Sequence, residues 1–172
     1  MGKRLVALAC AAVLAGGLAG CSRPVLLDPG PAAPDPLCGD ILLALRGQRF
    51  GFPEMGTTAQ ATMAWGDGTS AITLRCGVEP PPPTTDRCIT VTGSDGTAID
   101  WINPEPDSPL IPEHADSETG SWTFITYGRV PAVEIVVPAA LQLEPADVLP
   151  GVATAVQRAP AGRECVGATD VG

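Results

Sequence analysis

Two adjacent runs of β-branched and aromatic residues give the strongest hydrophobic pattern in the chain. The first run covers Trp122–Tyr127 and the second covers Ala132–Val137, while glycine and proline occur only between the runs and at their ends. In the second run, valine and isoleucine at odd positions alternate with Glu134, which is the period of a strand with one buried face. We therefore predict two strands joined at residues 128–131 and place them at the centre of a sheet.

Four shorter segments also have the composition and alternation of strands. They are 59–65, Ala71–Cys76, Cys88–Thr92 and Ala98–Ile102. Asp-Gly steps at Asp67 and Asp95 separate the members of each pair, and such steps favour hairpin turns.

Two segments are predicted to be helical. Asp35 and the proline after it are typical of a helix start, and we expect that helix to cover 36–46 and to end at Gly47. A second helix is predicted over 145–157, where Pro150 either kinks the helix or marks its true start. The fold class that follows is α+β: an antiparallel sheet of about six strands with an N-terminal and a C-terminal helix packed on it.

The first 20 residues have the composition of a secretory signal, with a basic start and a long apolar run. This run ends in Leu18-Ala19-Gly20-Cys21, which resembles the lipobox of bacterial lipoproteins. The resemblance implies cleavage before Cys21 and transfer of a diacylglyceryl group, with fatty acids such as palmitate, to its thiol. A plain signal peptide with a chance cysteine is the alternative. Two acyl chains would suffice for stable attachment to the outer face of the cytoplasmic membrane.

We divide the rest of the chain into three parts. Residues 21–36 contain five prolines and are predicted to form an extended, membrane-proximal stalk. Residues 37–168 are expected to form one extracytoplasmic domain, and residues 169–172 a short tail.

The charge of the processed chain excludes nucleic acid as a partner. Lys3 is the only lysine, so removal of residues 1–20 leaves eight arginines against nineteen acids, a formal charge of 8 − 19 = −11. Such a surface repels phosphate backbones and anionic lipid headgroups. Acyl chains, not charge, must then hold the protein at the membrane.

Four cysteines remain after the signal and anchoring cysteines are set aside, and an even number in an exported domain indicates two disulfides. Three pairings are possible. We favour Cys76–Cys88, which flank a proline-rich connection, together with Cys38–Cys165, which lie near the two ends of the domain. Free thiols or a metal site have less support, because no CxxC pair occurs.

The usual catalytic motifs are missing from the sequence. The processed chain has no lysine for a Schiff base, His114 is the only histidine, and no G-x-S-x-G, H-E-x-x-H or P-loop is present. His114 and the acids around it are expected to belong to a solvated loop without a metal, and we predict no cofactor. Asp100 and Glu134 are the best pair for carboxylate-based glycan hydrolysis, although both are better explained as outward-facing strand residues.

Four side chains are the candidates for ligand binding: Arg75, Arg129, Trp65 and Trp101. Arginine presents a planar set of donors to carboxylate or phosphate groups, and indole rings suit sugar or aromatic faces. The alternatives are that both tryptophans belong to the core and that Arg129 pairs with a nearby acid.

Several motifs resemble a family of actinobacterial lipoproteins, domain of unknown function three-five-one-five. They are Ala64-Trp65-Gly66-Asp67, Ile72-Thr73-Leu74-Arg75-Cys76-Gly77-Val78, Asp100-Trp101, and Thr126-Tyr127-Gly128-Arg129 followed by Pro131-Ala132-Val133-Glu134. The likeness extends from Cys38 to Cys165, and the chain departs from the family at Gly68, where proline is more common. The resemblance implies no particular activity.

Our leading hypothesis is a membrane-anchored, non-enzymatic binding or scaffolding module of the cell envelope, whose partner is an envelope component or protein. The alternatives are a carboxylate-based glycan hydrolase and a small-ligand carrier that uses Arg75 and Arg129.

Overall fold

The computed structural model describes residues 23–115 and 120–166. Within these residues the chain forms one seven-stranded sheet, two α-helices and a short 3₁₀ helix. The strands are β1 (Glu54–Met55), β2 (Thr62–Gly66), β3 (Ala71–Val78), β4 (Arg87–Thr92), β5 (Ala98–Asn103), β6 (Ser121–Thr126) and β7 (Ala132–Pro138). The helices are α1 (Pro36–Ala44) and α2 (Pro145–Val156), and the 3₁₀ helix is Ala139–Leu141.

The sheet is antiparallel throughout, in the order β1-β2-β3-β7-β6-β5-β4. Strand β7 is the central strand and pairs with β6 on one side and β3 on the other, as its dense β-branched sequence predicts. The antiparallel α+β class is confirmed, while the predicted count of about six strands omits the two-residue β1. That strand lies in a segment where the sequence has no alternation.

Both helices contribute to one hydrophobic core, which includes one face of the sheet. Leu74 of β3, Ile135 of β7 and Trp101 of β5 are at most 1% exposed and belong to the same cluster as Ile41 of α1 and Val148 of α2. These side chains have the odd-even alternation that the strands require. The opposite face of the sheet is therefore left for loops and for the N-terminal segment to cover.

The helix ends follow their capping residues closely. The carboxylate of Asp35 accepts a hydrogen bond of 2.9 Å from the amide of Leu37, which confirms the predicted start of α1. Helix α2 starts at Pro145 and continues through Pro150. At its start, the amide of Glu144 donates to the carboxylate of Asp147 over 2.8 Å.

The prediction of an extended stalk is wrong for residues 24–34, which pack against the domain. The amide of Val25 donates to the carbonyl of Gly56 over 2.8 Å, and Leu27 is only 8% exposed. The prolines of this segment predict an extended backbone but do not indicate whether it packs against the domain. Its few apolar side chains, such as Leu27 and Ala33, are nevertheless enough to dock it.

Two glycines, Gly30 in the segment and Gly77 in β3, allow this segment to approach the sheet closely. The amide of Ala32 donates to the carbonyl of Gly77 over 2.8 Å. Gly77 has a φ of +82°, and a Cβ atom at that position would lie 2.3 Å from the carbonyl carbon of Ala32. A side chain at Gly77 would thus push the N-terminal segment away.

Two disulfides are confirmed, but the predicted pairing is wrong. The bonds are Cys38–Cys76 and Cys88–Cys165. Strand order explains the difference, because β3 and β4 are neighbours in sequence but three strands lie between them in the sheet. Four steps of about 4.8 Å place them roughly 19 Å apart, far beyond the reach of a disulfide. Cys38, in the first turn of α1, instead meets Cys76 in the core.

The predicted signal peptide, Cys21 and the tail 169–172 lie outside the described residues. Across 23–115 and 120–166, we find no helix that is both long enough and apolar enough to cross a membrane.

Candidate functional site

A buried ion pair lies at the middle of the sheet face opposite the helices. Arg75 of β3 and Glu134 of β7 are direct neighbours in the antiparallel register. The Nε atom of Arg75 donates to Oε1 of Glu134 over 2.7 Å, and its Nη2 atom donates to Oε2 over 2.9 Å. The side chains are 16% and 4% exposed, respectively. This two-point geometry fixes the guanidinium plane relative to the sheet.

The remaining terminal nitrogen of Arg75 connects the ion pair to the N-terminal segment. Its Nη1 atom donates to the backbone carbonyl of Asp28 over 3.3 Å. The hydrogen bond with Glu134 raises the pKa of Arg75 above its usual value, against the opposing effect of burial. Arg75 is thus a permanently charged link between two strands and the segment that covers them.

His114 brings the loop after β5 onto the same ion pair. Its Nε2 atom lies 3.3 Å from Oγ1 of Thr73 and 3.5 Å from Oε1 of Glu134. Burial lowers the pKa of His114, an effect that the carboxylates of Glu134 and Asp28 oppose and that Arg75 strengthens. The expectation that His114 belongs to a solvated loop is therefore wrong, because its ring packs on the sheet and is 20% exposed.

The same loop also covers part of this face with apolar contacts. Leu110 packs against a small cluster formed by Val78, Ile125 and Ala132. This cluster is separate from the main core and lies under the loop. It gives the loop a second point of attachment besides His114.

Two cavities share His114 in their linings, and Arg75 lines the first of them. We call the first the acidic cavity: it has a volume of about 610 Å³, and the charged residues in its lining are Asp28, Arg75 and Glu113, beside His114. We call the second the hydroxyl cavity: it has a volume of about 330 Å³, and Thr69, Ser70 and Thr73 line it. Both have the size of small-ligand sites, which occupy roughly 300–1,000 Å³.

The two cavities share three lining residues, Leu26, Leu27 and His114. Their charges differ. The lining of the hydroxyl cavity includes Arg23 and no carboxylate residue. The lining of the acidic cavity includes two, Asp28 and Glu113, and its one arginine is already paired with Glu134. The pair of cavities therefore has one acidic end and one end rich in hydrogen-bond donors.

Arg129, the other predicted ligand-binding arginine, lies in a different place. It lines a cavity of about 310 Å³ together with Asp100 and Tyr127, and its Nη1 atom donates to the carbonyl of Ala159. Burial lowers the pKa of Arg129, and the charge of Asp100 opposes this effect. The structure therefore does not bring Arg75 and Arg129 into one site.

The two predicted tryptophans lie in the core. Trp65 is 1% exposed and Trp101 is 0% exposed, and neither lines one of the three cavities described above. The Nε1 atom of Trp65 donates to the carbonyl of Gln48 over 2.9 Å. Both tryptophans therefore belong to the core, which was the alternative to ligand binding, and neither is a platform for a sugar or an aromatic ligand.

The carboxylates of Asp100 and Glu134 have separate partners. The carboxylate of Asp100 accepts a hydrogen bond from the hydroxyl of Thr90 over 2.6 Å and another from the amide of Cys165 over 2.8 Å. Glu134 is 3% exposed, so the expectation that it faces outward into solvent is wrong. Nothing in this arrangement resembles two opposed carboxylates in one cleft.

Other residues of the site were not predicted from the sequence. Asp28 and Glu113 lie in polar segments that the sequence does not distinguish from ordinary loops. Thr73 occupies an ordinary position in a predicted strand. Only the folded arrangement places them around Arg75 and His114. In the part of the chain that the structure describes, no three His, Cys, Asp or Glu side chains are grouped so as to hold a metal ion.

The fold and site define an α+β domain with a disulfide on each side of its sheet and ligand-sized cavities on the face opposite the helices. The chain belongs to a family of proteins of unknown function, DUF3515, whose family model matches residues 4–164. Searches of the curated proteins and of the solved structures found no match.

Proposed function

We propose that this protein is a lipid-anchored binding module of the cell envelope, held on the outer face of the cytoplasmic membrane through Cys21. The tetrad Leu18-Ala19-Gly20-Cys21 and the apolar run before it support the anchor. Two acyl chains on Cys21 provide the attachment.

The single observation that carries the binding role is the buried Arg75–Glu134 pair beside the acidic cavity. Burying two charges is costly, and replacing such a pair with apolar residues is often neutral or stabilising. The pair occupies the centre of a sheet face where hydrophobic packing was available. Its position, at the wall of a ligand-sized cavity, supports a role in shaping a polar binding site.

The membrane anchor is tested by substitution at one position. In cells given an alkyne-labelled fatty acid, the unaltered chain is expected to carry the label and to sediment with membranes. The Cys21→Ala variant is expected to lose both properties. Equal labelling of the two proteins would contradict the anchor.

The binding role is tested by thermal-shift screening of polar lipids and envelope fragments against the unaltered chain and against Glu113→Gln, which changes the lining of the acidic cavity. Asp40→Asn, an exposed acid on α1, is the matched control. A ligand of this site raises the melting temperature of the unaltered chain and of the control more than that of Glu113→Gln. Stabilisation that is equal in all three proteins would place the ligand elsewhere.

No observation favours the glycan-hydrolase alternative, because Asp100 and Glu134 are held by different partners. A carrier that uses Arg75 and Arg129 together is not supported either, because the two arginines line separate cavities.

A further inference from the structure

We propose that the hydroxyl and acidic cavities together bind the headgroup of a zwitterionic phospholipid of the phosphoethanolamine class, taken from the bilayer to which the protein is anchored. This inference rests on the proposed anchoring through Cys21. It names the ligand of the site described above.

The first argument is the position of the cavities relative to the anchor. Arg23, which lines the hydroxyl cavity, is two residues from Cys21. Two residues extend at most about 7 Å, so an acylated Cys21 keeps Arg23 within one headgroup layer of the bilayer. The binding site of an anchored chain therefore lies near the membrane surface and not far above it.

The second argument is an exposed apolar residue at the same place. Leu26 is 78% exposed and is shared by the linings of both cavities. Leucine side chains on an interfacial segment favour the boundary between headgroups and acyl chains. Leu26 thus marks the side of the cavities that faces lipid.

The third argument is charge complementarity. The hydroxyl cavity offers the guanidinium of Arg23 and the hydroxyl group of Ser70, which are suitable donors for a phosphate, while the hydroxyl of Thr73 is already in contact with His114. The acidic cavity offers the carboxylates of Asp28 and Glu113, which are suitable acceptors for an ammonium group. A headgroup with a phosphate and a primary ammonium has both charges, separated by a short linker.

The buried ion pair keeps these two ends distinct. Arg75 is paired with Glu134, and its bond to Asp28 goes to the backbone carbonyl, so no hydrogen bond from Arg75 occupies the carboxylates of Asp28 and Glu113. His114 contributes to the linings of both cavities. The formal charge of −11 on the processed chain also disfavours a purely anionic lipid relative to a zwitterionic one.

The test uses His114 as a reporter, because it is the only histidine of the chain. The acylated full chain, without a histidine tag, is placed in nanodiscs of phosphatidylcholine to which phosphatidylethanolamine or phosphatidylglycerol is added. The ring-proton signals of His114 are then followed by NMR. A saturable shift with phosphatidylethanolamine, absent with phosphatidylglycerol and with phosphatidylcholine alone, is the expected result.

The variant Asp28→Asn with Glu113→Gln is expected to need about tenfold more phosphatidylethanolamine for the same shift, the order of effect for losing hydrogen bonds to a charged group. Asp40→Asn with Glu79→Gln removes the same charge from exposed positions outside both cavities and is expected to behave as the unaltered chain. Equal loss in both double variants would overturn the proposed headgroup site.

Two further outcomes overturn the inference. The first is a His114 signal that responds equally to all three lipids. The second is a His114 signal that shifts when soluble glycerophosphoethanolamine is added to phosphatidylcholine nanodiscs but does not shift with phosphatidylethanolamine. That result would indicate a free solute as the ligand. Acylation is checked by mass before reconstitution. Absence of acyl groups would therefore contradict the anchor, while an unresponsive acylated chain contradicts only the headgroup site.

Discussion

Arg75 and Glu134 form a buried ion pair. Replacing one of the two residues should lower the stability of the fold more than replacing both. The variant Glu134→Leu leaves a mostly buried guanidinium without its charge partner, and we expect a loss of about 3 kcal/mol in the free energy of unfolding. The double variant Arg75→Met with Glu134→Leu should lose less than Glu134→Leu or Arg75→Met alone. Urea unfolding of the four proteins with disulfides intact measures this coupling. Additive single losses would show that the pair is not coupled.

Trp65 and Trp101 are equally buried but differ in their polar contacts. Trp65 donates to the carbonyl of Gln48, whereas Nε1 of Trp101 has no hydrogen-bond partner among the described residues. Replacing each with phenylalanine removes similar volume, so the difference between the variants isolates the hydrogen bond. We expect Trp65→Phe to lose about 1 kcal/mol more stability than Trp101→Phe in chemical unfolding. The reverse order would contradict the assigned contact.

His114 gives the stability of the fold a specific pH dependence. Its pKa in the folded chain lies below the usual value of 6.5, mainly because of burial, so the unfolded chain binds the proton more readily. The stability that neutral His114 contributes is fully present above pH 6.5. It is lost as the pH falls below 6.5 and through the lowered pKa of the folded chain. Glu134, Arg75 and Asp28 are the charged groups that face the ring.

We therefore expect the urea midpoint of the unaltered chain to fall between about pH 7.5 and pH 5, and that of His114→Gln to fall less. Asp67 does not contribute in this window, because hydrogen bonds from Ser70 and Thr69 lower its pKa to about 2. Identical slopes for the two proteins would show that His114 titrates as in the unfolded chain.

At the scale of elements, the two disulfides hold different parts of the fold and differ in accessibility. Cys38–Cys76 joins α1 to β3 inside the core, where both residues are fully buried. Cys88–Cys165 joins β4 to the C-terminal segment, and both residues are partly exposed. Their sequence separations of 38 and 77 residues correspond to about 4 and 4.5 kcal/mol in the chain-entropy treatment.

A mild thiol reductant without denaturant is expected to open Cys88–Cys165 first, because attack on a disulfide requires access to sulfur. Alkylation followed by peptide mapping identifies the free cysteines at each time point. Early labelling of Cys38 and Cys76 would contradict the assigned burial. A Cys76–Cys88 peptide in the unreduced protein would contradict the pairing itself.

The elements could be predicted from local sequence, but their arrangement could not. The strand at Ala132–Pro138 and the cap at Asp35 depend on neighbouring residues, and both predictions are confirmed, although the strand is buried on both faces and not on one. The pairing of β3 with β7 depends on strands about 60 residues apart, and no local pattern encodes it. Cys76 and Cys88 are close in sequence but lie on strands that are far apart in the sheet, so sequence proximity predicts the wrong disulfide.

The candidate site was predictable only in part, for the same reason. Arg75 stood out as an arginine in a strand, and it is the one predicted binding residue beside the proposed site. Arg75 bonds to Glu134 and Asp28, and Glu134 contacts His114, so the site is assembled from segments far apart in the sequence. The many prolines around Asp28 indicated an extended backbone, but they gave no sign that the segment would fold back onto the sheet.

At the scale of the whole molecule, the sheet has two faces with different tasks. The two helices and Cys38–Cys76 stabilise one face as an apolar core. The N-terminal segment and the loop bearing His114 cover the other face and leave two cavities beside His114, one of which is lined by Arg75. In the proposed arrangement, the N-terminal segment is both the link to the bilayer and a wall of the binding site.

The most direct test of this account is the intact mass of the chain extracted from its native membrane. We predict a polypeptide that begins at Cys21, carries the mass of a diacylglyceryl group and has its other four cysteines in two disulfides. A chain that retains residues 1–20, or one that begins at Cys21 without acyl groups, would contradict the lipid-anchored module.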